Sequence, residues 1–322
     1  MIETISNDFT TLKVIEWMDY YNIKYYCITV EDTLDITLNQ YNELMVIKIR
    51  DQKFSLNEIT GYWFRRGLFE VRMKQTSPFY NKDDEFAIPA YNLSVNEKNV
   101  ALQYLHHLLG EKKSVNSFLY SNVNKLIALH EAKKLGLTVP MQLLTNSKKE
   151  LLEFYNTCKG NVISKVCSPS GGFETANFNI GVYTEFLDEE LISNMKNNFS
   201  PSFFQENINK QFEVRSFFLH GKFFSMAIFS QESEKTKIDF RNYDEEFPNR
   251  NVSFILPNAI EEQLRKLFNT LNLNSGSADL IYSTEGKYYF LEINPVGQFG
   301  MVSYPCNYFL EREIALFFKT KN

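Results

Sequence analysis

Two apolar segments near the C-terminus constrain this chain more than any other feature. Ser277-Ala278-Asp279-Leu280-Ile281-Tyr282 and Tyr288-Tyr289-Phe290-Leu291-Glu292-Ile293 are rich in β-branched and aromatic residues and are joined through Glu285-Gly286. They read as a β-hairpin. Alternation along a strand points Glu292 and Asn294 to the same face, and the hairpin brings Asp279 across from them. Both flanks of Glu292 are strongly apolar, and an unpaired carboxylate near a core is costly. Three oxygen donors on one face of paired strands suit a hard cation. Mg²⁺ prefers carboxylate and amide oxygens, keeps waters and completes its shell with substrate phosphates. Asp279, Glu292 and Asn294 are therefore candidate metal ligands; the bland alternative is an edge strand with solvated polar residues.

Upstream, helical and strand patterns alternate, which reads as a mixed α/β (α+β) chain in three small units. Residues 1–112 form the first. It holds a helix from Phe9 with Asp8 or Thr10 as its cap, a strand at Tyr25–Val30, and a strand at Ile59–Gly67 that ends in Arg65, Arg66 and a glycine. A long helical stretch from Asp84 to Leu109 closes it at Gly110. Residues 113–202 form the second unit, with helices at Ser121–Leu135 and Lys148–Thr157 and strands at Met141–Leu144 and Asn161–Val166. Residues 203–322 form the third, with strands at Phe212–Leu219 and Lys222–Phe229, a helix at Ala259–Leu271 and the hairpin.

Three further features sit on these elements. Lys165 lies on a strand followed by Ser168-Pro169-Ser170-Gly171-Gly172, whose backbone N–H groups could cover a polyphosphate. Neither a Walker A loop nor a Gly-x-Gly-x-x-Gly fingerprint occurs. Asn124-Lys125 lies on the helix before Gly136. The segment Gln205-Glu206-Asn207-Ile208-Asn209-Lys210 leads into Glu213-x-Arg215, and Asp239-x-Arg241 follows. Taken singly, each has an ordinary reading as a solvated helix lysine, a turn or a surface ion pair.

Their order is more specific. A helix lysine, a strand lysine, a Gly/Ser loop, an acidic hinge, an arginine strand and a terminal Asp…Glu-x-Asn resemble the ATP-grasp ligases, over roughly residues 113–300. Trp63-Phe64-Arg65-Arg66, Phe204-Gln205-Glu206 and Phe290-Leu291-Glu292-Ile293-Asn294-Pro295-x-Gly297-Gln298 look like the ATP-grasp peptide maturases. These include the microviridin-type and plesiocin-type ligases and the grasp-with-spasm group, which make graspetides. The resemblance implies an ATP-grasp fold with the nucleotide between the central and C-terminal subdomains. It implies that Lys125 and Lys165 contact phosphates under the loop of Ser170, Gly171 and Gly172. Gln205, Glu206 and Ile208 would form the adenine hinge, and Lys210 or Glu213 would face the ribose.

In the same resemblance, Arg215 and Arg241 steady the γ-phosphate or an acyl phosphate, and Asp239 and Glu213 are candidate bases. Asp279, Glu292 and Asn294 would hold Mg²⁺, two ions being expected. Arg65 and Arg66 would lie on the substrate side, where they could attract an acidic peptide. The implied activity is ATP-dependent macrocyclisation of a ribosomally made precursor peptide, leader and core, joining Asp or Glu carboxylates to Ser/Thr hydroxyls or Lys amines. A ligase adding amino acids to a protein tail or joining small molecules is the alternative; a non-catalytic nucleotide-dependent peptide-binding protein is the second. A homodimer is also implied. After Gln298 the chain reads Phe299-Gly300, where the microviridin-type ligases continue with tryptophans, so their particular substrate does not carry over.

Composition excludes other classes. The formal net charge of −5 is a poor basis for nonspecific nucleic-acid binding. No run of apolar residues is long enough for a membrane-spanning helix. The four cysteines form no Cys-x-x-Cys pair, so a reducing, cytoplasmic setting is expected. Lysine far outnumbers arginine and asparagine is abundant, a composition expected of a bacterial protein.

Overall fold

A computed structural model describes residues 1–39, 44–49, 52–68, 70–71, 86–167, 172–174, 179–181, 184–231, 246 and 248–319. The chain divides into two compact units, Met1–Ser121 with Phe309–Asn322, and Asn122–Tyr308.

The first unit is built on a parallel sheet. β1 (Ile2–Thr4) is followed by α1 (Phe9–Tyr20) and β2 (Cys27–Thr29). Next come β3 (Thr33–Asn39), β4 (Leu44–Ile49), β5 (Gln52–Ser55), β6 (Gly61–Phe64) and β7 (Glu70–Val71). Helix α2 (Ala87–Gly110) and β8 (Lys113–Val115) complete the run. The parallel sheet has the order β2-β1-β6-β8, and a second sheet has the order β5-β4-β3-β7. Helix α1 begins where Asp8 accepts a hydrogen bond from the Thr10 amide, satisfying one of the donors a helix leaves open at its start. Thr11, Val14 and Met18, spaced by three and four, are its buried stripe. The C-terminal helix Leu310–Lys319 packs on α1. It buries Leu310, Ile314 and Ala315, donates from Arg312 Nε to the Tyr21 hydroxyl at 3.0 Å, and lays Phe318 against Gly61. These last residues, expected as the tail of the C-terminal subdomain, instead complete the first unit.

Among the described residues, the second unit carries two larger antiparallel sheets and a short two-stranded one. Helix α3 (Lys125–Lys134) leads to β9 (Gln142–Ser147), α4 (Lys148–Thr157) and β10 (Val162–Lys165). The short pair β11 (Gly172–Glu174) and β12 (Asn179–Gly181) precedes β13 (Glu185–Leu187), α5 (Glu189–Asn194) and β14 (Asn198–Glu206). Then follow β15 (Lys210–Leu219), β16 (Lys222–Phe229), β17 (Arg250–Phe254), α6 (Asn258–Thr270), β18 (Ser275–Ser283), β19 (Tyr288–Asn294) and α7 (Gly300–Cys306). The central sheet has the order β13-β10-β14-β9, and the C-terminal sheet β17-β16-β15-β18-β19.

The expected helix from Ser121 starts only at Lys125, because the Asn124 side chain caps it, accepting from the Leu126 and Ile127 amides at 2.9 and 3.2 Å. Gly136, with φ +87°, ends it as expected. Apolar residues of α3 and α6 pack with the C-terminal sheet around Phe218, Phe268, Leu280 and Phe290, and the Phe218 and Phe268 rings stack at 4.4 Å. A separate core of Leu151, Val162, Leu187, Ile192 and Phe204 underlies the central sheet.

Candidate active site

The C-terminal sheet sets Arg215, Asp279 and Glu292 in one row. Arg215 on β15 lies opposite Asp279 on β18, and Asp279 opposite Glu292 on β19. Directly opposed residues of antiparallel strands share a face, so the three side chains project together, with Asn294 two residues beyond Glu292. The expected hairpin therefore brings the acidic set to one face, despite a register shift just after Asp279.

Arg215 grips Asp279 in a two-pronged pair, Nε to Oδ1 at 2.7 Å and Nη2 to Oδ2 at 2.6 Å. Both side chains are buried. The fixed fork of a guanidinium matches a carboxylate at both oxygens, which gives direction as well as attraction. Its remaining Nη1 donates to the Met301 sulfur on α7, a partner that nothing in the sequence signals. Lys125, the first residue of α3, places its ammonium 2.8 Å from Glu292 Oε2 and donates to the Val166 carbonyl at 3.1 Å. The helix lysine, the end of the strand that carries Lys165, and the terminal glutamate thus meet in one place. Lys165 itself pairs with Phe203 across β10 and β14.

Asn294 has its side-chain oxygen held by the Gly297 amide at 3.1 Å. Gly297 has φ +55°, and a Cβ there would lie 3.1 Å from Ser277 Oγ and 3.2 Å from the Phe217 ring. Glycine makes this turn possible, and the turn orients the amide. Two carboxylates and one amide oxygen on a shared face are hard donors of the kind Mg²⁺ takes, so the residues present fit that ion. Among the described residues there is no group of three or more His, Cys, Asp or Glu that could hold a metal; the expected set needs only two carboxylates.

Earlier on β15, Lys210 and Glu213 form a buried pair, Nζ to Oε1 at 2.6 Å, joined by the Ser230 hydroxyl at 3.1 Å. Burial pushes the Glu213 carboxyl up from its ordinary value; Lys210 and Ser230 pull it back, and Asp279 adds to the rise. The two residues expected as alternatives for the ribose are thus each other's partners. On the central sheet, Gln205 is buried in β14 beside Ile163 of β10. Glu206 exchanges bonds with Met141: its amide donates to the Met141 carbonyl at 2.9 Å, and its carboxylate accepts from the Met141 amide at 3.2 Å. Ile208 is buried just beyond. Gly172 opens β11. Ser170, Gly171, Asp239 and Arg241 lie outside the described residues.

Arg65 and Arg66 belong to the first unit, directly after β6. Arg65 is buried, its Nε 2.9 Å from Asp8 Oδ2 and its Nη2 donating to Thr10 Oγ1 at 3.1 Å. It locks the start of α1 to the end of β6. Burial pulls the Arg65 guanidinium down to about 10, with Asp8 opposing and Arg66 adding. For Asp8, burial alone would raise the carboxyl. Arg65, Thr10, Arg66 and Thr11 outweigh it and hold it below its usual value. Arg66 approaches Asp8 at 3.6 Å with 30% of its side chain exposed. Of the two arginines, only Arg66 has a side chain substantially open to solvent.

No helix among the described residues is long and apolar enough to cross a membrane, and all four cysteines are free thiols.

No protein-family model matches the chain, and no curated protein matches it in sequence. Solved structures do match in three dimensions. One is macrocyclase MdnC bound with precursor peptide MdnA from Microcystis aeruginosa MRC, at TM-score 0.79 and 24% identity, covering 99% of both chains. A second is a RiPP-associated ATP-grasp ligase of Chryseobacterium gregarium in complex with ADP and a leader and core peptide. It matches at TM-score 0.80 and 23% identity over 98% of this chain and 94% of that one. A third is the ATP-grasp ligase PsnB complexed with minimal precursor, Mg and ADP, at TM-score 0.71 and 17% identity over 99% and 95%. The chain has the ATP-grasp fold.

Proposed function

We propose that this chain is an ATP-dependent macrocyclase that joins side chains within a ribosomally made precursor peptide. The observation that carries the reading is the row Arg215–Asp279–Glu292 with Lys125 against Glu292, in a fold shared with ligases bound to precursor peptides and ADP. Lys125 and Lys165 bind the nucleotide phosphates, with the loop that contains Ser170, Gly171 and Gly172 above them. Gln205, Glu206 and Ile208 hold the adenine and Lys210 the ribose, so the nucleotide lies between the central and C-terminal sheets. Asp279, Glu292 and Asn294 hold Mg²⁺, as two ions, which when bound supplies charge neutralisation at the phosphates.

In the first step a peptide Asp or Glu carboxylate attacks the γ-phosphorus, the bond to the bridging oxygen breaks, and ADP leaves. Arg215 and Arg241 neutralise the charge on the transferring group in a water-poor site. In the second, a Ser/Thr hydroxyl or Lys amine attacks the acyl carbon, and phosphate leaves. Glu213 or Asp239 takes the proton of the attacking group. The raised Glu213 carboxyl suits it to that role. Arg66, partly exposed at the carboxyl edge of the parallel sheet where open α/β folds receive ligands, contacts the acidic core peptide. Arg65 supports it from beneath. The reading extends to a homodimer acting in the cytoplasm.

Coexpression with a candidate precursor followed by mass spectrometry tests this. The expected result is loss of one water per crosslink, dependent on ATP and absent with Asp279→Asn. An unmodified precursor with ATP turnover driven by free amino acids would move the assignment to an amino-acid ligase.

A further inference from the structure

Both carboxylates of the site are already matched by cations of the same site. Arg215 covers Asp279 at both oxygens, and Lys125 covers Glu292. Resting on the reading above, the groups meant for phosphate are thus engaged by the groups meant for metal. Lys125 sits at the first turn of a capped helix and reaches across to β19 and to the carbonyl of Val166, so it is held by two elements. We propose that Lys125 is an exchangeable counter-ion. It neutralises Glu292 until a triphosphate draws the ammonium away, and only then does Glu292 become a full-strength metal ligand.

A divalent cation that dehydrates as reluctantly as Mg²⁺ needs uncompensated carboxylate charge to bind. A carboxylate with an ammonium at 2.8 Å offers little. A triphosphate supplies the missing negative charge and removes the competing positive charge in the same event. Metal and nucleotide binding are then coupled, and the coupling is reciprocal. Lys125 and Glu292 are partly exposed, at 19% and 26% of their side chains, so the pair can open without disrupting the core. The Arg215–Asp279 pair is buried and doubly bonded, so Lys125, joined to Glu292 by a single partly exposed contact, is the more mobile of the two cations. The exchange gives the enzyme a guard: a metal-only site does not form, and idle Mg²⁺ does not block the approach of the phosphates.

The test uses the full chain with Mn²⁺ as the probe, its free ion followed by electron paramagnetic resonance, with and without a non-hydrolysable ATP analogue. The wild-type protein should take Mn²⁺ at least about tenfold more tightly with the analogue than without it. Lys125→Met should raise the affinity for Mn²⁺ alone by about tenfold, while Lys125→Arg, which keeps the charge, stays near wild type. From the other side, Glu292→Gln should tighten binding of the analogue in EDTA, because Lys125 is released. If wild type takes Mn²⁺ with the analogue but Lys125→Met shows no gain in Mn²⁺ alone, the counter-ion exchange is overturned and the active-site reading stands. If wild type takes no Mn²⁺ with the analogue, the metal–nucleotide reading falls and this inference with it.

Discussion

The two adjacent arginines after β6 should behave oppositely on substitution. Arg65 is 1% exposed and forms an ion pair with Asp8, whose side chain is itself 7% exposed. Removing one partner of a buried pair leaves the other uncompensated, a cost of about 3–5 kcal/mol. Asp8 would retain the Thr10 and Thr11 hydroxyls, at 2.7 and 3.0 Å, and Arg66 at 3.6 Å, so the lower end, about 3 kcal/mol, is expected for Arg65→Met. Arg66→Met loses only a long, partly exposed contact, and about 0.5 kcal/mol is expected. At roughly 2–4 °C per kcal/mol for a unit of this size, Arg65→Met should lower the melting temperature by roughly 6–12 °C and Arg66→Met by about 1–2 °C. Intrinsic fluorescence reads this cleanly, because both tryptophans, Trp17 and Trp63, lie in the first unit. Peptide turnover should reverse the order: Arg66→Met folds well but works poorly at low peptide concentration. Equal and small shifts for both variants, or a larger loss for Arg66→Met, would refute the assignment of Arg65 to structure and Arg66 to substrate.

Asp8 is held below its usual value, so its contribution to stability is present above the unfolded carboxyl value and is lost as pH falls through the folded one. Asp8→Asn should flatten that acid limb in urea titrations between about pH 5 and pH 2. Glu213 is raised. A base must be ionised, so the acid limb of peptide turnover should lie above the ordinary value of a glutamate, and Glu213→Gln should abolish that limb. The sign for stability is the reverse: the raised carboxyl favours the fold at low pH and loses that contribution as pH rises through the folded value. Arg215→Lys keeps the charge but cannot span both Asp279 oxygens, so a loss of about 2 kcal/mol in stability and a steep fall in kcat are expected, measured by denaturation and single-turnover kinetics. Gly297→Ala forces a side chain into a positive-φ turn against Ser277 and Phe217. About 1–3 kcal/mol of strain should displace the Asn294 amide and weaken Mn²⁺ binding in the presence of nucleotide.

What was legible in the sequence was local. The β18–β19 hairpin could be read because apolar alternation, a glycine turn and embedded acids coincide within 20 residues or so. Helix α4 could be read because Ser147 caps at its own start, accepting from the Glu150 amide. Less legible is where a cap moves a boundary: apolar spacing extends α3 back to Ser121, but the Asn124 cap starts it at Lys125, four residues later. The strands β3 and β4 went unread even though Leu34 and Ile36 alternate with polar residues, since short alternating runs compete with loop readings. Partnerships over long separations were invisible altogether. The sequence places Arg65 at a strand end on the substrate side with Arg66; only the fold brings it against Asp8, far upstream. Lys125 and Glu292 lie in different halves of the second unit and meet only through the fold. The Met301 thioether on Arg215 has no sequence signal at all, because methionine is as common in cores as anywhere.

The return of the C-terminal helix to α1 has a consequence for how the molecule is made. During synthesis the helix that packs on α1 emerges only after residues 122–308, which separate it from the rest of its unit. At about 5–20 residues per second, the intervening residues 122–308 occupy roughly 10–40 s of translation. Throughout that interval Val14, Met18 and the floor beneath Gly61 wait without Ile314, Ala315 and Phe318. The second unit is thus free to fold as a contiguous stretch, while the first is completed only by a segment that follows it. Closure of the first unit therefore waits on synthesis of the second.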